Sequence, residues 1–272
     1  MDKQEIKIKV SCFLADQICG SGQCFRMTAL PDGGYRVIAA DRLLELRQEK
    51  DGLLLGCTQQ EYDGFWRRYF DLDADYGAVL SSIDPRDRYL SQVSEFGSGI
   101  RILNQDLWEM IVTFIISQQN NIKRIRKCIE TICTSYGEEK YSSQGICYHA
   151  FPTPDRLACA TEEELRSLGL GYRSRYLVNT SASVAAGDCD LDKIRQMEYP
   201  QAREELMKLS GVGGKVADCI CLFALHHLDA FPVDTHIRQV LETHYPDGFP
   251  QEQYRGSMGI LQQYIFYYDL MK

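Results

Sequence analysis

The first part of the chain shows the alternation of polar and apolar positions that is typical of β-strands. Residues 5–10 alternate as a half-buried strand requires. The turn sequence PDGG at residues 31–34 separates two further candidate strands. Because short connections join neighbouring strands as hairpins, the pattern predicts a small antiparallel sheet. The other strands are predicted at residues 25–29, 35–39, 43–47 and 53–56.

Beyond residue 56 the apolar positions follow the helical period. Thr58 and Glu61 have the spacing of a capping box, and the aromatic residues between positions 62 and 70 fall on one helical stripe. Asp106 and Glu109 have the spacing of an N-cap and its partner in the first helical turn. Further helices are predicted at residues 106–117, 120–136, 161–168, 173–186, 200–209, 215–226, 234–244 and 251–268.

The glycine-rich segment FGSG at residues 96–99 is typical of a linker, and we place the domain boundary there. The sequence therefore predicts an α+β fold. In this fold a small N-terminal antiparallel β-sheet domain with helices (residues 1–98) precedes a mainly α-helical domain (residues 99–272).

The composition is that of an ordinary globular protein, with 44% hydrophobic and 25% charged residues. The longest apolar runs, at residues 111–116 and 220–225, are too short to span a bilayer, so no membrane association is expected. Charges interrupt the opening MDKQEIKIKV, where a signal peptide needs a continuous apolar stretch. We therefore expect a cytoplasmic protein.

The 11 cysteines do not have the pattern of a disulfide framework, since they are scattered through apolar segments and their number is odd. The absence of a CxxC pair argues against a structural zinc site, and no metal of that kind is expected. No cysteine follows Cys221, so we do not expect the four-cysteine iron–sulfur loop that some enzymes carry there. Most of these thiols should be small buried hydrophobes.

The formal net charge of −8 argues, taken alone, against a nucleic-acid partner. Phosphate binding depends on the local potential, however, and a negative total does not forbid it. Two basic clusters stand out, KRIRK at residues 123–127 and RSR at residues 173–175. Either cluster alone is typical of a solvated helix face.

The segment LMKLSGVGGKVADCICLFALHHLDAFPVDTHIRQV (residues 206–240) carries the strongest chemical signal. Gly211 and Gly213 predict a tight turn between two helices, because glycine adopts positive φ and lets another backbone approach closely. The second helix begins with unpaired N–H groups, which stabilise an anionic phosphate. Such a hairpin holds one DNA backbone without reading its sequence. A plain helical hairpin has the same pattern.

Lys215 and Asp234 are the candidate reactive pair. Lys215 stands in the first turn of a helix, where the macrodipole disfavours a cation, so we expect a lowered pKa and a more nucleophilic amine. Asp234 precedes the next predicted helix and is at least a good N-cap. An antiparallel return of the chain brings Asp234 back beside Lys215. The pair suits attack on an acetal-like carbon whose developing cationic charge the carboxylate steadies.

This segment resembles the helix–hairpin–helix, Gly/Pro…Asp signature of the DNA glycosylase superfamily. Its GVGGKVADCICLFAL…FPVDTH is similar in particular to the 8-oxoguanine DNA glycosylases, and the resemblance covers nearly the whole chain. It implies a helix–hairpin–helix glycosylase domain with Lys215 as nucleophile and Asp234 as its electrostatic partner. In that family the lysine displaces the oxidised base through an imine at C1′ and then cleaves the strand by β-elimination. The implied partner is double-stranded DNA that contains 8-oxoguanine.

The resemblance also implies a base pocket. SGQCFR (residues 21–26) resembles a family element whose glycine carbonyl accepts the N7 hydrogen of 8-oxoguanine, and that role falls on Gly22. Guanine has an acceptor at N7, which this carbonyl would repel. QQYIF at the C-terminal end resembles the helix that closes the pocket. By this match Gln262 contacts the Watson–Crick edge, Phe266 stacks on one face of the base and Cys219 lies against the other.

Two further segments, NNIKR (residues 120–124) and LGYR (residues 170–173), resemble the strand-separating elements of the family. They imply that a tyrosine wedges into the base stack and that arginines bond to the orphaned cytosine. The family asparagine that fills the hole left by the flipped base is replaced here by a longer glutamine. The implied DNA-binding residues are Gln119, Asn120, Arg124, Tyr172, Arg173, Gly211, Gly213 and His236.

Other functions stay open at this point. A monofunctional glycosylase of the same superfamily removes alkylated bases with an activated water, and it keeps the aspartate but lacks the lysine. A non-enzymatic helix–hairpin–helix DNA-binding module needs neither Asp234 nor a base pocket. The family often carries an alkali ion at the hairpin, held by backbone carbonyls, and no other cofactor is expected. We expect a monomer, associated with the nucleoid in a bacterium or located in the nucleus of a eukaryote.

Overall fold

The N-terminal part forms a five-stranded antiparallel sheet, as predicted. The computed structural model describes residues 4–272, so residues 1–3 of the predicted first domain lie outside the described residues. The strands are β1 (Ile6–Lys9), β2 (Met27–Ala29), β3 (Tyr35–Ala39), β4 (Arg42–Glu49) and β5 (Gly52–Leu55). Their order in the sheet is β1-β5-β4-β3-β2, a meander with β1 returned to its open edge.

The rest of the chain is almost entirely helical, which gives the predicted α+β architecture. Within residues 4–272, no helix has both the length and the apolar character needed to cross a bilayer. Single π-helical turns lie at Tyr62–Trp66 and Arg166–Leu170. The helices are α1 (Ala15–Gly20), α2 (Gln59–Glu61), α3 (Arg67–Tyr69), α4 (Tyr76–Ser81), α5 (Arg88–Phe96), α6 (Leu107–Ser117), α7 (Ile122–Tyr136), α8 (Pro154–Ala158), α9 (Glu162–Leu165), α10 (Arg173–Ala185), α11 (Leu191–Ile194), α12 (Tyr199–Leu206), α13 (Gly214–Phe223), α14 (Thr235–His244) and α15 (Met258–Leu270).

Several elements differ from the sequence prediction, and the helices α1, α4, α5, α8 and α11 were not predicted. The helix predicted at residues 251–268 begins only at Met258, because residues 251–257 form turns and Gly256 has φ +82°, which a helix does not accommodate. A short hairpin of β6 (Glu139–Tyr141) and β7 (Cys147–His149) was not predicted. The chain beyond β7 is tied to the main sheet, since the Phe151 amide donates to the Ala40 carbonyl.

Two hydrophobic clusters meet along the molecule. One lies between the sheet, α1 and the aromatic helix at residues 59–69, and the other lies among the helices from α4 onward. Phe25 of the N-terminal part belongs to the helical cluster, while Leu103 belongs to the sheet cluster. The segment around residues 21–26 therefore crosses the seam between the clusters. The domain boundary at residue 98 stays a prediction.

Asp106 and Glu109 begin α6, but they do not form a reciprocal pair. The Asp106 carboxylate accepts from the Glu109 amide at 2.9 Å, as an N-cap does. The Glu109 carboxylate accepts instead from the Ala40 amide, also at 2.9 Å, and so crosses to the sheet. Glu109 is 5% exposed. Burial raises its pKa to about 7, although the nearby Arg26 and the Ala40 hydrogen bond oppose the shift.

This raised pKa predicts a pH-dependent stability. The folded protein binds a proton at Glu109 more tightly than the unfolded chain, so its contribution is present at low pH and is lost as pH rises through about 7. Relative to Glu109→Gln, the wild type should lose on the order of 3 kcal/mol of unfolding free energy between about pH 5 and pH 8. Urea denaturation across this range measures the difference. Parallel pH curves for the two proteins would contradict the assignment.

Candidate active site

A helical hairpin forms the base of the site. Helix α12 ends at Leu206, and Gly211 turns the chain with φ +81° into α13. Among residues 4–272 no side chain caps α13, whose N-cap is Gly213. The first N–H groups of this helix therefore stay unpaired at the mouth of a cleft of about 1060 Å³. The Gly211 carbonyl accepts from the Gln118 amide at 2.9 Å, which joins the hairpin to the end of α6.

The outer face of α13 is held by charged hydrogen bonds. One oxygen of the Asp218 carboxylate accepts from Arg203 Nε at 2.6 Å and from the Tyr199 hydroxyl at 2.8 Å. Both donors belong to α12. Charge-assisted hydrogen bonds of this kind are strong and directional, so they fix the rotation of α13 about its axis. The inner face, with Lys215 and Cys219, is thereby turned toward the cleft.

Lys215 and Asp234 lie on the walls of the same cleft and of a small inner cavity that opens from it. Lys215 is exposed within the cleft, and its Nζ lies 5.8 Å from the centre of the Phe114 ring. Asp234 caps α14, since one carboxylate oxygen accepts from the Ile237 amide at 2.9 Å. The antiparallel return of the chain has therefore brought the two residues together as predicted.

The charge state of Lys215 differs from the prediction. Its pKa is raised, chiefly by the negative charge of Cys219 when that thiol ionises, and further by a hydrogen bond to Cys219 and by Asp234. Burial acts in the opposite direction and does not prevail. The prediction of a lowered pKa was wrong because it counted the helix dipole and omitted two side chains that only the fold brings near. With its pKa raised, the Lys215 amine holds its proton more tightly than a free lysine does, which is the opposite of the predicted activation.

The inner cavity collects every predicted base-binding residue. It has a volume of about 40 Å³, which is room for a few water molecules and not for a purine ring. The Gln262 amide nitrogen donates to the Pro232 carbonyl at 3.0 Å, while its amide oxygen is buried without a partner. Among the hydrogen bonds of residues 4–272, none reaches the Gly22 carbonyl. The lining residues are Gly22, Phe114, Lys215, Cys219, Phe223, Pro232, Asp234, Gln262, Gln263 and Phe266.

Phe266 closes this cavity by lying on Gly22. A Cβ atom placed on Gly22, which has φ +77°, would be 3.0 Å from the Phe266 ring. The predicted positions of Phe266 and Cys219 on opposite faces of a base therefore require the ring to move away from Gly22. Four residues that line the cavity were not predicted, namely Phe114, Phe223, Pro232 and Gln263. They look like ordinary core positions in the sequence.

The predicted DNA-binding residues at the cleft mouth are mostly exposed. Gln119 is exposed and has φ +47°, in the left-handed region, and Asn120 donates from its amide to the Ile116 carbonyl at 3.1 Å. His236 is exposed beside the α13 hairpin, and its Nδ1 lies 2.9 Å from the Asp269 carboxylate. Arg238, one helical turn beyond Asp234, also lines the cleft and was not predicted.

Tyr172 and Arg173 have different environments. Tyr172 is 46% exposed, as a wedge must be, whereas Arg173 is 4% exposed. The Arg173 guanidinium stacks on the Tyr172 ring at 4.6 Å and donates to the carbonyls of Gln118 and Gln119. Arg124 is exposed, with one donor on the Gly169 carbonyl at 3.1 Å. In this arrangement Arg173 supports the turn at residues 118–119, and Arg124 is the arginine that faces solvent.

The fold and the site together define a helix–hairpin–helix protein that presents an amine and a carboxylate at a deep cleft with a small closed cavity beside it. Residues 5–111 match the N-terminal domain of 8-oxoguanine DNA glycosylase, and residues 112–254 match the HhH-GPD superfamily of base excision DNA repair proteins. The chain belongs to the 8-oxoguanine DNA glycosylase family of this superfamily.

Named relatives agree with this membership. The chain is 36% identical over 190 residues to the N-glycosylase/DNA lyase of Saccharomyces cerevisiae, a match that covers 65% of this chain and 50% of the yeast protein. It therefore spans about half the length of that relative. A structure of the Clostridium acetobutylicum 8-oxoguanine glycosylase/lyase, in complex with double-stranded DNA containing cytosine opposite 8-oxoG, is 35% identical. Its TM-score is 0.90, with 98% of each chain covered.

The two hairpin glycines should respond differently to alanine. A Cβ on Gly211 would lie 2.6 Å from the Tyr176 ring, and φ there is +81°, so Gly211→Ala should destabilise the fold by about 2 kcal/mol or more. A Cβ on Gly213 meets nothing within 4 Å, so Gly213→Ala should cost well under that, about 0.5 kcal/mol. Urea denaturation of both variants tests this. Equal losses would show that the turn is not sterically defined at Gly211.

Removal of the Cys219 thiol should lower the Lys215 pKa, because the largest cause of its upward shift disappears. The pKa of Lys215 in Cys219→Ala, followed by NMR of the reductively 13C-methylated protein, should be below the wild-type value. Cys221→Ala is the matched control, since Cys221 is buried in the same helix and does not act on Lys215. A Lys215 pKa that is the same in both variants would exclude the contribution of Cys219.

Proposed function

We propose that this protein is a bifunctional base excision enzyme that removes 8-oxoguanine opposite cytosine from duplex DNA and then cleaves the strand. The observation that carries the proposal is the composition of one cavity. Its lining residues include Lys215, Asp234, Gly22 and Gln262, so an amine, a carboxylate, a backbone glycine and an amide belong to the wall of one cavity. A base must leave the duplex to reach these groups, so flipping is part of the function.

The polar groups of the cavity match 8-oxoguanine. The buried Gln262 amide oxygen has no partner among residues 4–272, and the Watson–Crick edge of a guanine supplies N–H donors for it. The Gly22 carbonyl is an acceptor without a donor among residues 4–272. In 8-oxoguanine N7 carries a hydrogen that this carbonyl can accept, whereas the N7 lone pair of guanine would face it. Phe266 and Cys219 both line the cavity, and they contact the two faces of the base once the Phe266 ring has moved away from Gly22.

Lys215 supplies the covalent chemistry. After it loses its proton, its nitrogen bonds to C1′ of the flipped nucleotide while the bond from C1′ to the base breaks and the base leaves with the electron pair. Asp234 stabilises the positive charge that develops at the sugar. Loss of a proton from the nitrogen and opening of the sugar ring give the imine. Removal of a C2′ proton then expels the 3′ phosphate, which completes β-elimination.

DNA binding combines the hairpin with the cleft mouth. The unpaired N–H groups at the start of α13 suit one phosphate, and His236 at the start of α14 suits a second. Lys123, Arg124 and Lys127 on α7 form no ion pair with any carboxylate of residues 4–272, so their charges are available to phosphates. Tyr172 wedges into the base stack, and Gln119 fills the space that the flipped base leaves. Arg124 bonds to the orphaned cytosine.

The remaining parts of the proposal follow from this role. The enzyme acts as a monomer on chromosomal DNA, in the nucleoid of a bacterial cytoplasm or in a eukaryotic nucleus. An alkali ion on the backbone carbonyls of the hairpin would strengthen its hold on a phosphate. The chemistry itself needs no cofactor, because an amine and a carboxylate suffice for imine formation and elimination.

Borohydride trapping tests the function directly. We expect wild type to form a covalent complex with a duplex that holds one 8-oxoguanine opposite cytosine, and to form none with the undamaged duplex. Lys215→Gln should lose the complex while it keeps most of its DNA affinity, because the lysine is the nucleophile. Lys208→Gln is the control, since Lys208 is an exposed lysine of the same hairpin region paired with Glu205.

The other outcomes would overturn the proposal in different ways. Release of free base without a trapped complex would indicate a monofunctional glycosylase that uses an activated water. Binding without base release or a complex would indicate a DNA-binding module. A complex that survives in Lys215→Gln would assign the nucleophile to another residue.

A further inference from the structure

We propose that Gln263 is a positioning residue for damage discrimination: by holding the Ser21 carbonyl, its amide fixes the direction of the Gly22 carbonyl. This inference rests on the proposed function, in which that Gly22 carbonyl distinguishes 8-oxoguanine from guanine. Gln263 stands next to Gln262 in the sequence, but its amide nitrogen donates to a backbone carbonyl of the protein.

The contact itself is short and buried. Gln263 is 2% exposed and Ser21 is fully buried. The Gln263 amide nitrogen donates to the Ser21 carbonyl at 2.6 Å and connects α15 to the loop after α1, from opposite ends of the chain. The Ser21 carbonyl belongs to the planar peptide group that links Ser21 to Gly22. The hydrogen bond therefore fixes the orientation of this peptide plane, which includes the Gly22 nitrogen.

The other side of Gly22 is fixed as well. The fully buried Gln23 side chain donates to the Arg101 carbonyl at 2.9 Å and accepts from the Leu103 amide at 2.9 Å. Gln105 donates to the Gln23 carbonyl, also at 2.9 Å. Gly22 is thus a flexible residue between two restrained neighbours, and Gln263 is the restraint that comes from the helix of the base pocket.

The orientation of the Gly22 carbonyl must be restrained because this carbonyl has to exclude guanine. Glycine has wide conformational freedom, so a loosely held Gly22 carbonyl could rotate away from the N7 lone pair of guanine and relieve the repulsion. Specificity of this kind needs an unfavourable contact that the wrong ligand cannot escape. A fixed carbonyl keeps both the hydrogen bond to the N7–H and the repulsion of a bare N7.

If Gln263 had only a structural role, a different result would be expected for its variants. A buried amide needs hydrogen-bond partners in any case, and its loss would then lower stability without a change in the ratio of affinities. The affinity ratio for duplexes that differ only in the N7 hydrogen separates the two roles.

The first experiment measures binding in a Lys215→Gln background, where the base is not removed. Affinities are compared for duplexes with 8-oxoguanine or guanine opposite cytosine. Gln263→Met keeps the side-chain volume and removes the donor, and it should lower the ratio of the two affinities about tenfold. Gln92→Leu is the matched control, since Gln92 donates to the Tyr268 hydroxyl on the outer side of α15 at 2.7 Å. It should leave the ratio unchanged.

A second duplex isolates the N7 hydrogen. 7-Deaza-8-oxoguanine has a carbon at this position and cannot donate to the Gly22 carbonyl. The loss caused by Gln263→Met on 8-oxoguanine should disappear on this analogue, as in a double-mutant cycle. An equal loss on both bases, or an unchanged affinity ratio, would overturn the positioning role.

Trapping at a preformed abasic site, with Lys215 restored, shows that the Gln263 variants are folded and reactive, because it needs Lys215 and no base. Gln263→Met should trap as wild type does, and a parallel loss there would mean that Gln263 only supports the fold. If Gln263→Met does not fold, Gln263→Glu keeps the size and polarity, and its carboxylate cannot donate when ionised. Failure of the proposed function is distinguishable, since the Lys215→Gln parent itself would then show no preference for 8-oxoguanine.

Discussion

The fully buried side chain of Gln23 makes the two parts of the molecule one binding site. It pairs with the backbone on both sides of Ile102 much as a neighbouring strand would, at the place where the sheet cluster and the helical cluster meet. A buried amide left without partners is costly, so this arrangement leaves little freedom for the two parts to slide. The inner cavity draws its walls from both parts, and its shape depends on this seam.

Electrostatics at the cavity follow from the same arrangement. The helix N-terminus alone would favour a neutral amine at Lys215, but Cys219 on the same helix and Asp234 from the return segment favour the charged form. A protonated lysine suits the approach of a phosphate chain, and a neutral one suits attack on the sugar. In the proposed function, Asp234 therefore both stabilises the charge at the sugar and, by favouring the charged amine, keeps Lys215 inactive until its proton has been transferred.

The sequence was sufficient for those features that are encoded locally. Alternation located the strands, Asp106 and Thr58 marked helix starts, and the glycines of the hairpin located the turn before Lys215. Features that depend on distant segments were missed. The burial of Arg173 requires carbonyls from the turn after α6. The late start of α15 follows a turn at Gly256, whose amide donates to the distant Asp229 carboxylate. The β6–β7 hairpin has only three residues in each strand, too few for a periodic signal.

The site residues divide in the same way. Lys215 and Asp234 could be paired from helix length and an antiparallel return, whereas the role of Gly22 came from the family resemblance alone. Phe114 and Gln263 looked like core residues, because nothing in a single sequence tells a cavity wall from a packed interior. The tertiary packing determines which apolar helices contact each other and through which residues.

In the proposed function, the closed recess under Phe266 means that recognition of a base begins with a deformation of the protein. Only a minor, opened population can admit a base, and the observed affinity for any base is the intrinsic affinity reduced by the fraction of open molecules. The opening cost is the same for damaged and undamaged bases, so it does not alter their ratio. The opening cost lowers both affinities by the same factor, and a base with a weak intrinsic affinity for the pocket therefore stays in the duplex. The Phe266 ring thus sets the intrinsic affinity that a base needs in order to open the recess, and the polar groups of the cavity determine which base has that affinity.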